Sequence, residues 1–354
     1  MNDRRMSYRT SMALTALFGL VFSTAMAAFI WDKQGAQWQQ RFDIGVLRRQ
    51  QAIASALKGT MQSLDDIGRF VEASERVSAD EFDYYNASLL GQFHGLSWIQ
   101  PVPADTRLPT AAHPVAEVQP GRWHDIRPDC VPVDPVWRYP VTLMSARQSS
   151  PRSMGLDLRC DPVRVQVMQQ ARDLGRVVAT RQVQRLTRAG QSMVLFRPVY
   201  ERRALATVAQ RRQHLRGFIA AGVSMNELLL PPLRTLEDGS IYAVTLSDIS
   251  PGSAGMLLKL NTESAETTVE RSVDIRFGER TLRLLIQPDR AFWRQRHDQA
   301  PLLAWLAGIC FTMLLMAWLR SQDKRRAQAE MLAIARSDDL IDREVRLAAL
   351  FQHS

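Results

Sequence analysis

MGLDLRCDPVR, residues 154–164, is the stretch that decides how the middle of this chain folds. Apolar and polar residues alternate from Met154 to Cys160, which predicts a strand with one buried face. Asp161 and Pro162 follow, and a capping carboxylate before a proline at the first helical position predicts the start of a helix. Asp157 raises the functional question, because its carboxylate lies in the middle of a strand that is predicted to be half-buried.

The segments around this stretch complete one predicted domain. Ser78 and Glu81 have the spacing of a capping box and predict a helix that begins there. The helix after Pro162 has an apolar stripe and a terminating glycine, formed by Val163, Val167, Ala171, Leu174 and Gly175. Five segments have the composition of strands: LSWIQPVP (96–103), YPVTLM (139–144), RVVATRQV (176–183), QSMVLFRPVY (191–200) and LRGFIAAGVSM (215–225). This order of helices and strands indicates an α+β fold built on an antiparallel sheet.

A second, smaller α+β unit is predicted from Asn226 onward. NELLLPPL (226–233) predicts a short helix that its prolines end. Four alternating strands follow: SIYAVTLSDIS (240–250), MLLKLNT (256–262), TTVERSVDIRF (267–277) and RTLRLLIQP (280–288). The polar, proline-rich segment 104–135 is predicted to be a long loop.

Residues 37–77 contain no proline and predict one long amphipathic helix, the stalk. Its apolar positions recur at spacings near three and four and are Ile53, Leu57, Met61, Leu64, Phe70 and Val71. Such a helix packs either against its own domain or against a second copy, and the pattern does not decide between them.

Two apolar runs are long enough to cross a hydrocarbon core of about 30 Å. Residues 12–31 form the first, and the alternative of a signal peptide has support from Ala25-Met26-Ala27, which resembles a cleavage site. The run continues past that site and ends at Trp31, which favours an uncleaved anchor. Residues 301–319 form the second run and carry no charge.

The net charge of +9 is concentrated partly beside these runs. Basic residues precede the first run and follow the second, where positive charge marks the cytoplasmic side; they are Arg4, Arg5, Arg9, Arg320, Lys324, Arg325 and Arg326. Residues 32–300 are therefore predicted to lie in the periplasm. No basic stripe interleaved with aromatic residues is found, so nucleic acid is not predicted as a partner.

The cysteines fit an oxidising compartment. Cys310 lies in the second apolar run, which leaves Cys130 and Cys160 as a pair in the outer segment. A disulfide between them would close a loop of about 30 residues and contribute on the order of 3 kcal/mol. The alternative is two unpaired thiols.

The helix predicted after the second run has a heptad seam with alternating spacings of four and three, in which every position is apolar except the acidic Asp338. The positions are Ala327, Met331, Ile334, Asp338, Ile341, Val345 and Ala348. A seam with this repeat is typical of a parallel two-stranded coiled coil, and the alternative is a solvated helix at the membrane surface.

Motifs of catalysis and metal binding are absent from the sequence. Ser192 lacks the second glycine of a nucleophile elbow, and no phosphate-binding glycine loop, His-Glu-x-x-His or Cys-x-x-Cys occurs. The six histidines are scattered singly, so no metal is predicted, and no cofactor is predicted either. A membrane-anchored periplasmic hydrolase is kept only as a remote alternative.

The order of these segments resembles the CHASE domain, the extracytoplasmic sensor of bacterial histidine kinases, diguanylate cyclases and plant cytokinin receptors. The segments that carry the resemblance are FVEASERVSADEFDYY, GLSWIQPVP, YPVTLM, GLDLRCDPVR, ARDLGRVVAT, MVLFRPVY and RGFIAAGVSMNELL. The resemblance implies a stalk helix with two PAS-like subdomains, of which the membrane-distal one binds a small molecule. A purine of the cytokinin type is one candidate ligand.

The resemblance also implies a binding site. An aspartate on the strand that matches GLDL contacts the ligand in the cytokinin-receptor branch, and Asp157 takes that position. The strand after ARDLG would offer backbone groups near Ala179 and Thr180, and the apolar walls would be formed by Phe196, Met144 and Trp98. The alternative is that Asp157 caps or pairs within the fold, with Arg159 or Arg176 as partner.

We therefore expect a homodimeric inner-membrane receptor whose ligand acts through the second membrane helix on a cytoplasmic output, most simply a histidine kinase. A cyclase or phosphodiesterase output, or a non-catalytic dimerisation module, are the alternatives. The expected segments are a cytoplasmic N-terminus (1–11), a membrane helix (12–31), a stalk (32–77), a distal subdomain (78–225), a proximal subdomain (226–300), a second membrane helix (301–319) and a signalling helix that leads to an output domain (320–354).

Overall fold

The computed structural model describes most of the chain. The described residues are 2–105, 123–126, 130–146, 154–185, 190–203, 205–236, 242–253, 255–261, 269–294 and 299–351, with the backbone alone described at 2–9, 146, 330, 334, 335 and 337–351. The chain forms two compact units, one from residues 42–293 and one from residues 1–41 and 294–354.

The helices include two very long ones. In chain order the helices are α1 (Asn2–Ala73), α2 (Ala79–Asn86), a 3-10 turn (Ala87–Leu89), α3 (Pro162–Leu174), α4 (Val208–Gln213), α5 (Met225–Arg234), α6 (Arg290–Arg294) and α7 (Ala300–Phe351). The stalk and the first apolar run are therefore one helix, α1, as the absence of proline allows.

Local signals set the ends of the shorter helices. Ser78 and Glu81 form the predicted capping box of α2, and the side chain of Asp161 caps α3. Gly175 ends α3 at a φ of 70°. The prediction that prolines cut the helix at 226–233 is corrected, because α5 continues through Pro231 and Pro232 to Arg234. Only the amide donors of those two residues are lost, so the last turn still forms.

A six-stranded antiparallel sheet is the centre of the first α+β part. Its strands are β1 (Gly95–Ile99), β5 (Val141–Ala146), β7 (Val178–Ala179), β8 (Val183–Gln184), β9 (Gln191–Tyr200) and β10 (Leu215–Val223). The order is β5-β1-β10-β9-β7, and β8 pairs with β9. We call it the distal sheet. The segment 176–183, predicted as one strand, is two short strands that Thr180 to Gln182 separate.

The two faces of the distal sheet pack against different helices. One face meets the stalk, where Arg197 of β9 pairs with Glu72 of α1. The other face forms the main apolar cluster with α3, through Val165, Met168 and Ala171. The stalk therefore buries its apolar face against its own domain, with Leu57 and other predicted stripe residues buried.

Two short strand pairs flank the distal sheet. The strands are β2 (Val102–Pro103), β3 (His124–Asp125), β4 (Trp137–Arg138) and β6 (Leu156–Asp157). β2 pairs with β4 in antiparallel fashion, and β3 pairs with β6 in parallel. The strand predicted over 154–160 is thus reduced to the two residues of β6. The residues on either side of β6 form hydrogen bonds with separate segments of the chain and not with one continuous strand. The described part of the loop predicted over 104–135 contains β3.

A second antiparallel sheet, the proximal sheet, has the four strands that the alternation predicts. They are β11 (Tyr242–Asp248), β12 (Gly255–Leu260), β13 (Arg271–Phe277) and β14 (Arg280–Pro288), in the order β12-β11-β14-β13. It packs on the stalk through Phe42, Tyr242 and Phe292, whose rings lie 5.2–6.0 Å apart. The guanidinium of Arg49 lies 3.6 Å from the ring centre of Tyr242.

The other unit contains the two apolar runs. Both lie in helices long and apolar enough to cross a membrane, by length and composition. They approach closely at glycines, since a Cβ at Gly19 would lie 2.3 Å from Thr312 Oγ1, and a Cβ at Gly308 would lie 2.3 Å from Ser23 Oγ. The predicted heptad residues all fall within α7, and the coiled coil stays a prediction.

Candidate functional site

Asp157 is fully buried, and the fold supplies hydrogen bonds to its Oδ1, while its Oδ2 has no hydrogen-bond partner among the described residues. Its Oδ1 accepts hydrogen bonds from the backbone N–H of Tyr139 at 2.9 Å and of Arg159 at 3.0 Å. Its Oδ2 lies 3.5 Å from Arg159 Nε and 3.9 Å from Arg138 Nη1. The carboxylate therefore joins β4 to the turn after β6.

Opposing effects act on the pKa of Asp157. Burial raises the pKa above its ordinary value, while the two backbone donors and the charge of Arg159 oppose that rise. Arg159 is itself held by Asp125 through a paired contact at 3.0 and 3.1 Å. This cluster has the composition of a structural ion-pair network, which perturbs the pKa without requiring a ligand.

A cavity of about 140 Å³ lies on the face of the distal sheet that α3 partly covers. Strand register explains its floor. Met144, Ser97, Ala220 and Phe196 form one row across β5, β1, β10 and β9. In the next row Gly95 pairs with Gly222, so two residues without side chains leave space above the sheet. Leu156 and Leu158 close the cavity from the side of the loop before α3.

Polar side chains gather at one end of this cavity. His94, Arg185 and Ser192 line it there, at the ends of β1, β8 and β9. Arg185 Nη2 lies 2.8 Å from His94 Nε2, and His94 Nδ1 lies 3.2 Å from Glu227 Oε2. Because arginine only donates, Nε2 of His94 accepts, and its Nδ1 carries the proton toward Glu227.

Arg164 is the second cation in the lining, and it is neutralised locally. Its guanidinium bonds to the carboxylate of Asp161, the cap of its own helix. It also donates to the carbonyl oxygen of Gln184 at 2.9 Å. Arg164 therefore fixes the start of α3 to β8 and shapes the cavity wall.

Two of the six predicted ligand residues line the cavity, namely Met144 and Phe196. Asp157, Trp98, Ala179 and Thr180 are not among the lining residues. Trp98 lies in the sheet row of Ile219 and Arg197, on the face toward the stalk, because side chains alternate along β1.

The backbone groups expected to meet a ligand are already bonded within the fold. The N–H of Ala179 donates to the carbonyl oxygen of Gly278 at 2.7 Å, and the N–H of Thr180 donates to that of Val194 at 2.8 Å. The hydroxyl of Thr180 accepts from the N–H of Val194 at 2.9 Å. These backbone groups are therefore engaged in contacts within the fold, and a ligand role for Ala179 and Thr180 stays a prediction.

Sequence reasoning missed the polar end of the cavity. His94, Ser97, Arg185 and Ser192 were not singled out as ligand residues. The alternation Gly95, Ser97, Ile99 along β1 carried a signal, because it places small and polar residues on one face. No sequence pattern indicated that Arg185 lines the cavity, because its contact with His94 spans 91 residues of sequence.

Cys130 and Cys160 are joined in a disulfide, with their Cα atoms 5.8 Å apart. Among the described residues, these two sulfurs and Asp125 also form the one group with metal-ligand spacing. Thiolates are the ligands a metal would need, and the disulfide removes both. The disulfide between Cys130 and Cys160 therefore closes the loop beside β6 covalently.

These features define the class: an α+β domain that carries an amphipathic cavity, on a chain with two long apolar helices. The model of the CHASE domain family matches residues 75–258, which is more than half of the chain. The chain belongs to the CHASE domain family, as its segment order led us to expect. The chain has no match among the curated proteins compared with it.

The solved structures to which the chain is similar include ligand-binding domains of bacterial chemoreceptors. The domain of the Pseudomonas aeruginosa amino acid chemoreceptor PctC, in complex with GABA, is 13% identical over 72% of this chain and 100% of its own, with a TM-score of 0.40. That of Campylobacter jejuni Tlp3 with L-valine is 8% identical over 78% and 98%, with a TM-score of 0.41. That of Pseudomonas fluorescens CtaA with L-alanine is 10% identical over 72% and 97%, with a TM-score of 0.36.

Proposed function

We propose that this chain is the sensor part of a homodimeric inner-membrane receptor, with residues 32–300 in the periplasm as a CHASE domain of two PAS-like parts. The observation that carries the proposal is the cavity on the distal sheet. It combines apolar walls with a few polar groups at one end, which is the composition of small-molecule sites. Met144 and Phe196 form part of its walls.

The size of the cavity favours a ligand smaller than a substituted purine. Its volume of about 140 Å³ is close to that of an engineered cavity of about 150 Å³ that binds benzene. A purine of the cytokinin type, which the family resemblance suggests, would have to extend through the open side. We therefore place the ligand among small organic molecules.

Within the unit of residues 42–293, a series of contacts leads from the cavity to the turn before β14. Phe196 in the cavity floor pairs with Val178 of β7, and the next residue, Ala179, bonds to Gly278 in the turn between β13 and β14. β14 is followed by α6 and α7. A ligand that binds two arrangements of the distal sheet with different affinity would shift this chain of contacts.

The output in this proposal is a histidine kinase of a two-component system, driven by α7 through a coiled coil with the partner chain. A diguanylate cyclase or phosphodiesterase would serve the same sensor, and a purely structural dimerisation module is the alternative without a ligand. The cavity favours a sensor over the dimerisation module, because a dimerisation surface needs no partly enclosed space with polar groups.

Thermal unfolding of the full chain in lipid nanodiscs tests the proposal. The probes are amino acids, short carboxylates, aromatic acids and their amides, and purines, each added singly. A ligand at about 100 times its Kd stabilises by about 2.7 kcal/mol, which raises the melting temperature measurably. We expect at least one probe class to do so.

Gly222→Val is the variant that should abolish this shift. Among the described residues a Cβ at Gly222 meets only the Cβ of His94, at 3.8 Å, so the larger side chain fits the fold and fills the cavity. Gly255→Val in β12 is the matched control, since its Cβ would lie 3.8 Å from Gln182 Oε1 and outside the cavity. If no probe shifts the melting temperature, or if Gly222→Val keeps the full shift, the sensor proposal is wrong.

A further inference from the structure

The cavity has a polar end and an apolar end along the same strands. On β1 the lining runs from His94 through Ser97 to Ile99, and on β9 it runs from Ser192 to Phe196. The two strands are both antiparallel to β10, so their polar residues meet at one edge. Ile99, Val141, Leu156 and Leu158 form the other end. A molecule that fills this space therefore needs one polar end and one apolar body.

The polar end offers donors. Arg185 Nε is buried and has no hydrogen-bond partner among the described residues. Ser192 lines the same end of the cavity, whereas Ser97 lies farther along, in the sheet row of Phe196. A buried guanidinium N–H without an acceptor costs free energy, which a ligand oxygen would recover.

Negative charge is missing from the described lining of the cavity. None of the described lining residues is an aspartate or glutamate. Asp161 is engaged with Arg164, and Glu227 lies at the rim with 59% of its side chain exposed, 3.7 Å from Arg185 Nη2. Water screens that exposed carboxylate, so it only partly offsets the charge of Arg185. The space beside Nε therefore favours an anionic acceptor over a neutral one.

We propose that the cavity selects small monocarboxylates with an apolar body of about benzene size. The carboxylate accepts from Arg185 Nε and the Ser192 hydroxyl at the polar end, and the apolar body lies between Ile99, Leu156 and Phe196. This inference rests on the proposed sensor function and narrows its ligand class. Asp157 has no part in the recognition, since it is not among the lining residues.

Benzoate and benzamide are the matched probes, because they have the same size and differ in charge. Isothermal titration of the full chain in nanodiscs should give benzoate an affinity at least tenfold above that of benzamide. Arg185→Met keeps the aliphatic stem and should lower benzoate affinity at least tenfold while changing that of benzamide less than twofold. Arg283→Met removes an equal charge from the exposed surface of the proximal sheet, where Arg283 pairs with Asp274, and should change neither affinity.

The results separate the two proposals. Equal affinity of the two probes, or unchanged benzoate affinity in Arg185→Met, overturns the carboxylate inference. Binding of neutral compounds that Gly222→Val abolishes would then leave the sensor function standing. Absence of binding by every probe in the panel overturns both. Melting curves of Arg185→Met without a probe verify that the variant is folded.

Discussion

The backbone N–H of Ala179 donates a hydrogen bond of 2.7 Å to the carbonyl oxygen of Gly278, and this bond joins the edge of the distal sheet to the proximal sheet. Gly278 has a φ of 55°, in the left-handed region that glycine tolerates best. A Cβ on it would lie 2.7 Å from both the Cβ and the backbone nitrogen of Ala179. The contact therefore requires glycine for two separate reasons.

Gly278→Ala should break this contact. Gly252→Ala is a close control, since Gly252 has a φ of 74° and no atom of the described residues within 4 Å of its Cβ position. Both variants carry a similar backbone strain, of order 1 kcal/mol, and only Gly278→Ala adds a collision. We expect a clearly larger drop in melting temperature for Gly278→Ala, and faster hydrogen exchange at Ala179. Equal drops in melting temperature for the two variants would show that the contact between Ala179 and Gly278 does not contribute to the stability of the fold.

Asp157→Ala should destabilise the fold by about 2–4 kcal/mol, because the buried backbone N–H of Tyr139 and the partly buried one of Arg159 lose their acceptor. Asp157→Asn keeps an oxygen that can accept both bonds, so its loss should be smaller. Urea unfolding of both variants measures the difference. Benzoate affinity in Asp157→Asn should equal that of the wild type. A stable Asp157→Ala variant that binds no probe would instead restore the ligand role that the family resemblance implied.

The sequence predicted those features that neighbouring residues determine. Ser78 with Glu81, Asp161 before α3, and Gly175 after it are signals within one or two turns, and the structure has each of them. Alternation predicted β9 residue for residue. These features need no knowledge of distant parts of the chain.

The candidate site was predicted only in part, because contacts distant in sequence determine it. The family resemblance implied that Asp157 contacts a ligand. In the structure its Oδ1 accepts a hydrogen bond from the backbone N–H of Tyr139, which lies 18 residues earlier in the sequence. The family resemblance implied that Trp98 lines the ligand site. In the structure its side chain lies on the other face of the sheet, because successive residues of a strand point to opposite faces. Arg185 lines the cavity and contacts His94, which is 91 residues away in the sequence, so no local sequence pattern predicts this contact.

Asp173 links α3 to α4 and should contribute to stability in a pH-dependent way. The hydrogen bond from Arg212 has the largest effect on the pKa of Asp173; burial opposes it and Arg172 adds to it, so that the pKa falls from 3.8 to about 2. The unfolded chain therefore binds the proton more readily than the folded one. The contribution is complete above about pH 4 and is lost as the pH falls toward 2.

Asp173→Asn should remove this contribution, about 1 kcal/mol after screening at a partly exposed carboxylate. Melting temperatures at pH 7 and pH 3 should therefore differ less in the variant than in the wild type. Salt at about 1 M should reduce the wild-type difference, since the Debye length falls to about 3 Å. An identical pH dependence in both proteins would contradict the pairing with Arg212.

Gly19→Val should separate the two long apolar helices, because the added carbons would occupy the position of the Thr312 side chain. Glycine at such contacts lets helix backbones approach closely in a membrane. Gly35→Val in the same helix is the control, since no atom of the described residues lies within 4 Å of its Cβ position.

Cysteines introduced by Thr24→Cys and Trp305→Cys report the distance, because these two side chains meet at 3.3 Å and neither position is a glycine. Cys310→Ser removes the free thiol. Cross-linking by a short bifunctional thiol reagent should be efficient in this background and in Gly35→Val, and at least fivefold slower in Gly19→Val. Equal rates in all three would mean that the close contact at Gly19 does not hold these helices together.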